Sequence, residues 1–243
     1  MKTQTMVDTT NNGLRIKTVI TNEGDETAYN IQIHVNENTK IQSSPVKQHL
    51  AVKECFAYEF HYNLTQVKHG RYPLIITVDY TDVNQYPFTA TTAAYYSFGS
   101  DTVSQVYGLA SDIRLTNYTT LPLLLRNRDE VPKEVRLCLI VPKELSVQEK
   151  DKKVILQPRA ELNTTFRVSN FSALPGSRYQ IFFILEYEDE SKHYCSIVPC
   201  FINTDVPGGF FRRYTWYIIA GTSLLLAVLI VFQFIPGKSC KPR

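Results

Sequence analysis

Apolar and polar residues alternate with period two through most of this chain. Leu14, Ile16, Thr18 and Ile20 alternate with Arg15, Lys17 and Val19, and Ile31, Ile33 and Val35 alternate with Gln32 and His34. Tyr72, Leu74, Ile76, Val78 and Tyr80 form a third such run, interleaved with Pro73, Ile75, Thr77 and Asp79. Period two with one apolar face predicts half-buried antiparallel strands. The runs end in turn chemistry: Asn22 to Gly24, His69-Gly70, and Asp82 with Asn84. Later in the chain Leu121, Leu123 and Leu125 repeat the pattern, followed by Val135, Leu137, Leu139 and Val141, then by Tyr179, Ile181, Phe183, Leu185 and Tyr187.

The two sets are copies of one module. "GRYPLIITVDYTD" from Gly70 returns as "GSRYQIFFILEYED" from Gly176. Asn22 matches Asn127 at an offset of 105, Leu50 matches Leu156 and Phe60 matches Phe166 at 106, and Tyr72 and Tyr80 match Tyr179 and Tyr187 at 107. A drift of two residues is what short loop insertions produce. The fold expected is all-β: two tandem immunoglobulin-like β-sandwich domains over 1–105 and 106–206, with Tyr80 and Tyr187 buried at equivalent corners. One strand departs from the alternation. Phe182 and Ile184 fall on the outward face of the strand whose inward face is Ile181, Phe183 and Leu185. An outward apolar pair marks a candidate interaction surface, either between domains or with a partner, unless a neighbouring loop covers it.

The pattern changes near the C-terminus. Trp216 to Ile235 is twenty residues without a charge, about 30 Å as a helix, with Arg212 and Arg213 before it and Lys238, Lys241 and Arg243 after it. This predicts a Pro/Gly spacer over 207–213, a transmembrane α-helix over 214–235 and a short basic tail over 236–243. Ala220, Ser223 and Ala227 share one face of that helix and form a candidate packing face for another membrane helix. The bias of flanking charge favours extracytoplasmic sandwiches with a cytoplasmic C-terminus. The start "MKTQTMVDTTNNG" has no apolar segment of the kind that directs export, which leaves two readings: an export signal lying upstream of Met1, or, as the alternative, a tail-anchored protein with cytosolic sandwiches.

"VITNEGDETAYNIQIHV" followed by "GRYPLIITVDYTD" resembles the CARDB-like family of bacterial and archaeal surface modules. The resemblance rests on Asn22, Gly24, Ala28 and Asn30 and covers residues 14–98 well. Over 112–203 it is weaker, because Arg128-Asp129 and Val131-Pro132 replace the usual glycine and alanine. It implies a β-sandwich and an extracytoplasmic spacer, adhesion or scaffold role.

Composition narrows the chemistry. A net charge of +3 with interspersed signs gives no basic stripe for nucleic acid. The five cysteines match neither a zinc nor a CxxC redox spacing, and Cys195 and Cys200 point to opposite faces of one strand. The histidines are scattered, so no metal or cofactor is expected; the acidic hairpins at Asp79, Asp82 and Asn84 and at Glu186, Glu188, Asp189 and Glu190 leave calcium open. Asn63, Asn117, Asn163 and Asn170 begin glycosylation triplets. No acid, base and nucleophile converge in the pattern. The function expected is non-catalytic: a binding, adhesion or scaffold module held at the lipid bilayer, with a protein or surface polymer as partner. The alternative is an accessory subunit of an export, polysaccharide or transport complex, assembled through its helix.

Overall fold

The computed structural model describes residues 1–9, 13–38, 40–64, 68–205 and 214–225. The first half contains β1 (Lys2–Thr9), β2 (Gly13–Thr21), β3 (Ala28–Glu37), β4 (Lys40–Ser43), β5 (Lys47–Leu50), β6 (Cys55–Asn63), β7 (His69–Thr81) and β8 (Pro87–Phe98). The second contains β9 (Val106–Leu109), β10 (Ile113–Leu115), β11 (Tyr118–Asn127), β12 (Lys133–Ile140), β13 (Leu145–Val147), β14 (Asp151–Leu156), β15 (Glu161–Asn170), β16 (Arg178–Glu188) and β17 (Lys192–Thr204).

Each half is a two-sheet sandwich. In the first, β1-β2-β6 faces a sheet in which β7 lies between β3 and β8. Leu14, Ile16 and Ile20 of β2 and Phe60 and Tyr62 of β6 close one core with Ile31, Ile33 and Val35 of β3 and Leu74, Ile76 and Val78 of β7. In the second half, β13-β15-β11-β9 faces β14-β12-β16-β17, and Leu121, Leu123, Leu125, Val135, Leu137, Phe166, Ile181, Phe183 and Leu185 belong to its core. The alternating residues of the sequence are therefore the inward faces of the strands, as a half-buried antiparallel strand requires.

The repeat has a physical root at its first corner. Asn22 Nδ2 donates to the carbonyls of Glu26 (2.7 Å) and Leu50 (3.0 Å), and its Oδ1 accepts from Gly24 N–H (3.0 Å). Asn127 does the same one module later: Nδ2 donates to Val131 (2.9 Å) and Leu156 (3.3 Å), and Oδ1 accepts from Asp129 N–H (2.9 Å). The tyrosine pair is less symmetric. Tyr187 is buried and its hydroxyl accepts from Gln105 N–H at 2.8 Å. Tyr80 is only half-buried and stacks on Phe88 at 5.4 Å.

Residues Met1–Asp205 form one unit, and Val206–Arg243 form another. The described part of the second unit is a helix over 214–225. This corrects the expected transmembrane span. The twelve described residues cover about 18 Å, against a hydrocarbon core of about 30 Å. No helix among the described residues is long and apolar enough to cross a membrane. A single-pass placement, in either orientation, therefore has no span to rest on among the described residues. Residues 226–235, the spacer 207–213 and the tail 236–243 lie outside the described residues.

Candidate functional site: the cleft between the sandwiches

Three sets of contacts join the two sandwiches. The first is a strand junction. β17 runs parallel to β7 for one step, with Lys192 opposite His69 and His193 opposite Gly70. Gly70 is needed there: its φ is +145°, and a Cβ on it would lie 1.9 Å from the His193 carbonyl oxygen. The same carbonyl accepts from the Thr102 hydroxyl at 2.9 Å. The imidazole of His193 is buried, stacked on Tyr72 with ring centroids 4.0 Å apart. Its Nδ1 donates to the Arg71 carbonyl (2.7 Å), and Nε2 stands 3.4 Å from Glu186. Arg71 grips Asp101 through two bonds of 3.1 and 2.7 Å, and that pairing holds the Asp101 carboxyl down at about 2. Lys68 closes this end by donating to the Asp189 carbonyl (2.7 Å) and pairing with Glu188 (2.8 Å).

The second set is apolar. Phe182, Ile184 and Cys195 are buried in a cluster of their own, with Ile75 and Ala93 of the first sandwich and Cys138, Ile140 and Ile197 of the second. Register explains the grouping. Ile75 lies opposite Ala93 on β7 and β8, while Ile184 has Cys138 on one side and Ile197 on the other. The outward apolar pair of β16 thus faces the other sandwich.

The third set joins the β7–β8 hairpin to the second sandwich. Tyr86 donates to the Ser172 carbonyl (2.6 Å), Thr89 N–H donates to Glu144 Oε1 (2.6 Å), and Lys143 pairs with Asp79.

Beside these contacts opens a cleft of about 870 Å³. One wall comes from the end of β3 and from β7, with Glu37, Tyr72 and Ile75; the other is the outward face of β12 and β16, with Glu134, Arg136, Cys138, Ile184, Glu186 and Glu188. The side near the contact is apolar and the rim is charged. Glu37 is buried and accepts from the Tyr96 hydroxyl at 2.5 Å. Burial, with Glu188, Glu186 and Glu37 nearby, pushes the Tyr72 phenol up to about 12. Burial first, then the charge of Asp151, raises the Cys138 thiol to about 12. Cys195 is pushed up for the same first reason. Thiols so far above their ordinary range stay protonated and poorly nucleophilic.

The other sequence candidates disperse. Ala220 and Ser223 are exposed on the helix over 214–225, and Ala227 lies outside the described residues. Cys195 belongs to the cluster between the sandwiches and Cys200 to the second core, on opposite faces of β17. Within the acidic hairpins, Asp82 and Asp189 turn their carboxylates to their own turns, Asp82 accepting from the amides of Asn84 and Tyr86 and Asp189 from those of Ser191 and Lys192, while Asp79, Glu186 and Glu188 pair with Lys143, His193 and Lys68. No group of three or more His, Cys, Asp or Glu that could hold a metal occurs among the described residues. Asn170 bonds Ala173 through both ends of its amide, while Asn63, Asn117 and Asn163 are exposed. Pattern reading missed Glu144, Thr89 and Tyr86, whose partners lie 55 and 86 residues away in sequence. The one available signal was a lone Glu beside the apolar strand that follows it.

No family model matches the chain, and no curated protein matches it. Solved structures give loose likenesses. Salmonella alpha-2-macroglobulin reacted with methylamine aligns at 8% identity over 83% of this chain and 16% of that one, with a TM-score of 0.35. Escherichia coli alpha-2-macroglobulin activated by porcine elastase aligns at 9% over 83% and 22%, with a TM-score of 0.33. Red sea bream transglutaminase aligns at 9% over 84% and 31%, with a TM-score of 0.28. The chain spans less than a third of the length of each of these proteins. The resemblance to CARDB-like modules has no matching family model behind it.

Proposed function

We propose that this chain is a non-catalytic binding or scaffold module whose two sandwiches act as one rigid piece, with the cleft between them as the place where a protein or polymer partner is held. The carrying observation is the double closure of the contact: a strand junction at His193 and Gly70, a hydrogen-bonded joint at Glu144 and Thr89, and apolar packing of Phe182 and Ile184. A flexible tandem has no need of two separate joints. A rigid one fixes the shape of the cleft and so limits the ordering cost of binding. The CARDB-like resemblance points to the same accessory, non-enzymatic kind of role.

The test is site-specific photo-crosslinking in the native cell. A crosslinker at Glu134 or Lys153, both exposed at the cleft, is expected to capture one discrete partner. The same group at Lys17, exposed on β2, is expected to capture none. Equal capture at both positions would remove the cleft from the proposal. Turnover of a small molecule that is abolished by substitutions in the cleft would overturn the non-catalytic reading.

A further inference from the structure

The joint on the β7–β8 side is built around one buried carboxyl. Glu144 sits in the loop between β12 and β13 and is 2% exposed. Its Oε1 accepts the Thr89 amide of the other sandwich at 2.6 Å. Its Oε2 is enclosed and has no hydrogen-bond partner. The main chain at Glu144 is held in place, because its backbone carbonyl accepts the amides of Phe171 and Ser172, both at 3.0 Å. Asp79 and Tyr80 of β7, Tyr179 of β16 and Lys143 beside it make up its charged and titratable surroundings. Tyr86, on the loop before β8, lies near Tyr179. Lys143 is committed to Asp79, which also holds His34 at 3.1 Å and the Thr89 hydroxyl at 3.1 Å.

An ionised Glu144 would leave a bare charged oxygen in an enclosed space beside a second carboxylate. The neutral acid keeps the Thr89 bond and buries no charge. We propose that this contact is a pH-gated joint: neutral Glu144 holds the β7–β8 side of the first sandwich against the second, and ionised Glu144 releases that side while the His193 junction stays paired. The proton exchanges with solvent, and no other bond is made or broken. Burial, with a smaller contribution from Asp79, raises the Glu144 pKa against the opposing pull of its backbone hydrogen bonds, so the gate lies above the ordinary glutamate range. The inference does not require a partner in the cleft.

Amide exchange on the full chain tests it, read as protection at Thr89 divided by protection at Val78, a core amide of the same sandwich, so that the intrinsic pH dependence of exchange cancels. In the wild type the ratio is expected to fall about tenfold or more between about pH 4 and about pH 8. Glu144→Gln keeps an acceptor for Thr89 and should make the ratio flat. Asp79→Asn should keep the fall and move its midpoint to lower pH. Tyr86→Phe removes the neighbouring bond to Ser172 without removing a carboxyl, and should lower the ratio equally at every pH. A flat wild-type ratio, or the same fall in Glu144→Gln, overturns the gate. If Glu144→Gln does not fold, an unmoved midpoint in Asp79→Asn overturns it.

Discussion

Asn22 and Asn127 each hold a corner with one carboxamide, and each is almost fully enclosed. Asn22→Ala removes two donated bonds and one accepted bond at a buried corner, so it should cost about 2–3 kcal/mol, read from the denaturant midpoint. Asn127→Ala should match it, because its amide bonds Leu156 in the same way. Equal costs would tie the repeat to one physical device; a negligible cost at either site would break that link. Tyr187 is the second sandwich's corner residue. Its ring stacks on Tyr194 at 4.7 Å and its hydroxyl takes the Gln105 amide. Tyr187→Phe should cost about 1 kcal/mol and Tyr187→Ala about 3–5 kcal/mol. Glu144 has the opposite sign. Its folded pKa is raised, so both states are protonated at low pH and the unfolded chain ionises first as pH rises. Its contribution is fully present below the ordinary glutamate range and is lost as pH climbs through the folded value. Glu144→Gln should therefore unfold at higher denaturant than wild type at neutral pH and show no such gain in acid.

At the scale of elements, what alternation could reveal and what it could not divides cleanly. The faces of β2, β3, β7, β11, β12 and β16 were legible, because one side of each strand is buried and period two records that. The outward pair Phe182 and Ile184 was legible as an anomaly, yet the sequence left open whether a loop, a partner or the other sandwich covers it. β1 was not legible: Lys2–Thr9 is an edge strand that pairs β2 with a half-buried, Thr-rich face, and such a face leaves little apolar signal. The apolar stretch near the C-terminus signalled a long helix by composition alone, and the helix over 214–225, the described part of that stretch, is too short to cross a membrane. The strand junction was hidden as well. Gly70 reads as a turn glycine, and only the approach of His193 shows why no side chain fits. Gly70→Ala should force β17 away from β7, cost more than about 1 kcal/mol and raise amide exchange around His193 first. Unchanged exchange there would mean that the junction tolerates a Cβ.

At the scale of the whole molecule, the question is whether two complete cores behave as one. Each sandwich closes its own core, since every residue of the first core precedes Val106 and every buried residue of the second begins there or later. Their coupling rests on the small apolar cluster and the two joints, none of which either core needs for its own closure. Residues Met1–Asp205 should therefore unfold in a single calorimetric transition only while that contact is dry. Phe182→Asp puts a carboxylate into a cluster where Phe182 is 4% exposed, and a charge there must be hydrated or neutralised. The expected outcome is two transitions, with the contact opened and both sandwiches still folded. Ala93→Asp attacks the same cluster from the first sandwich, through a residue outside the second core. It should give the same splitting without weakening β16. If Phe182→Asp splits the transition and Ala93→Asp does not, the loss lies within the second sandwich and the coupling argument fails. If both variants melt in one step at a lower temperature, the joints alone carry the coupling and the apolar cluster adds only stability.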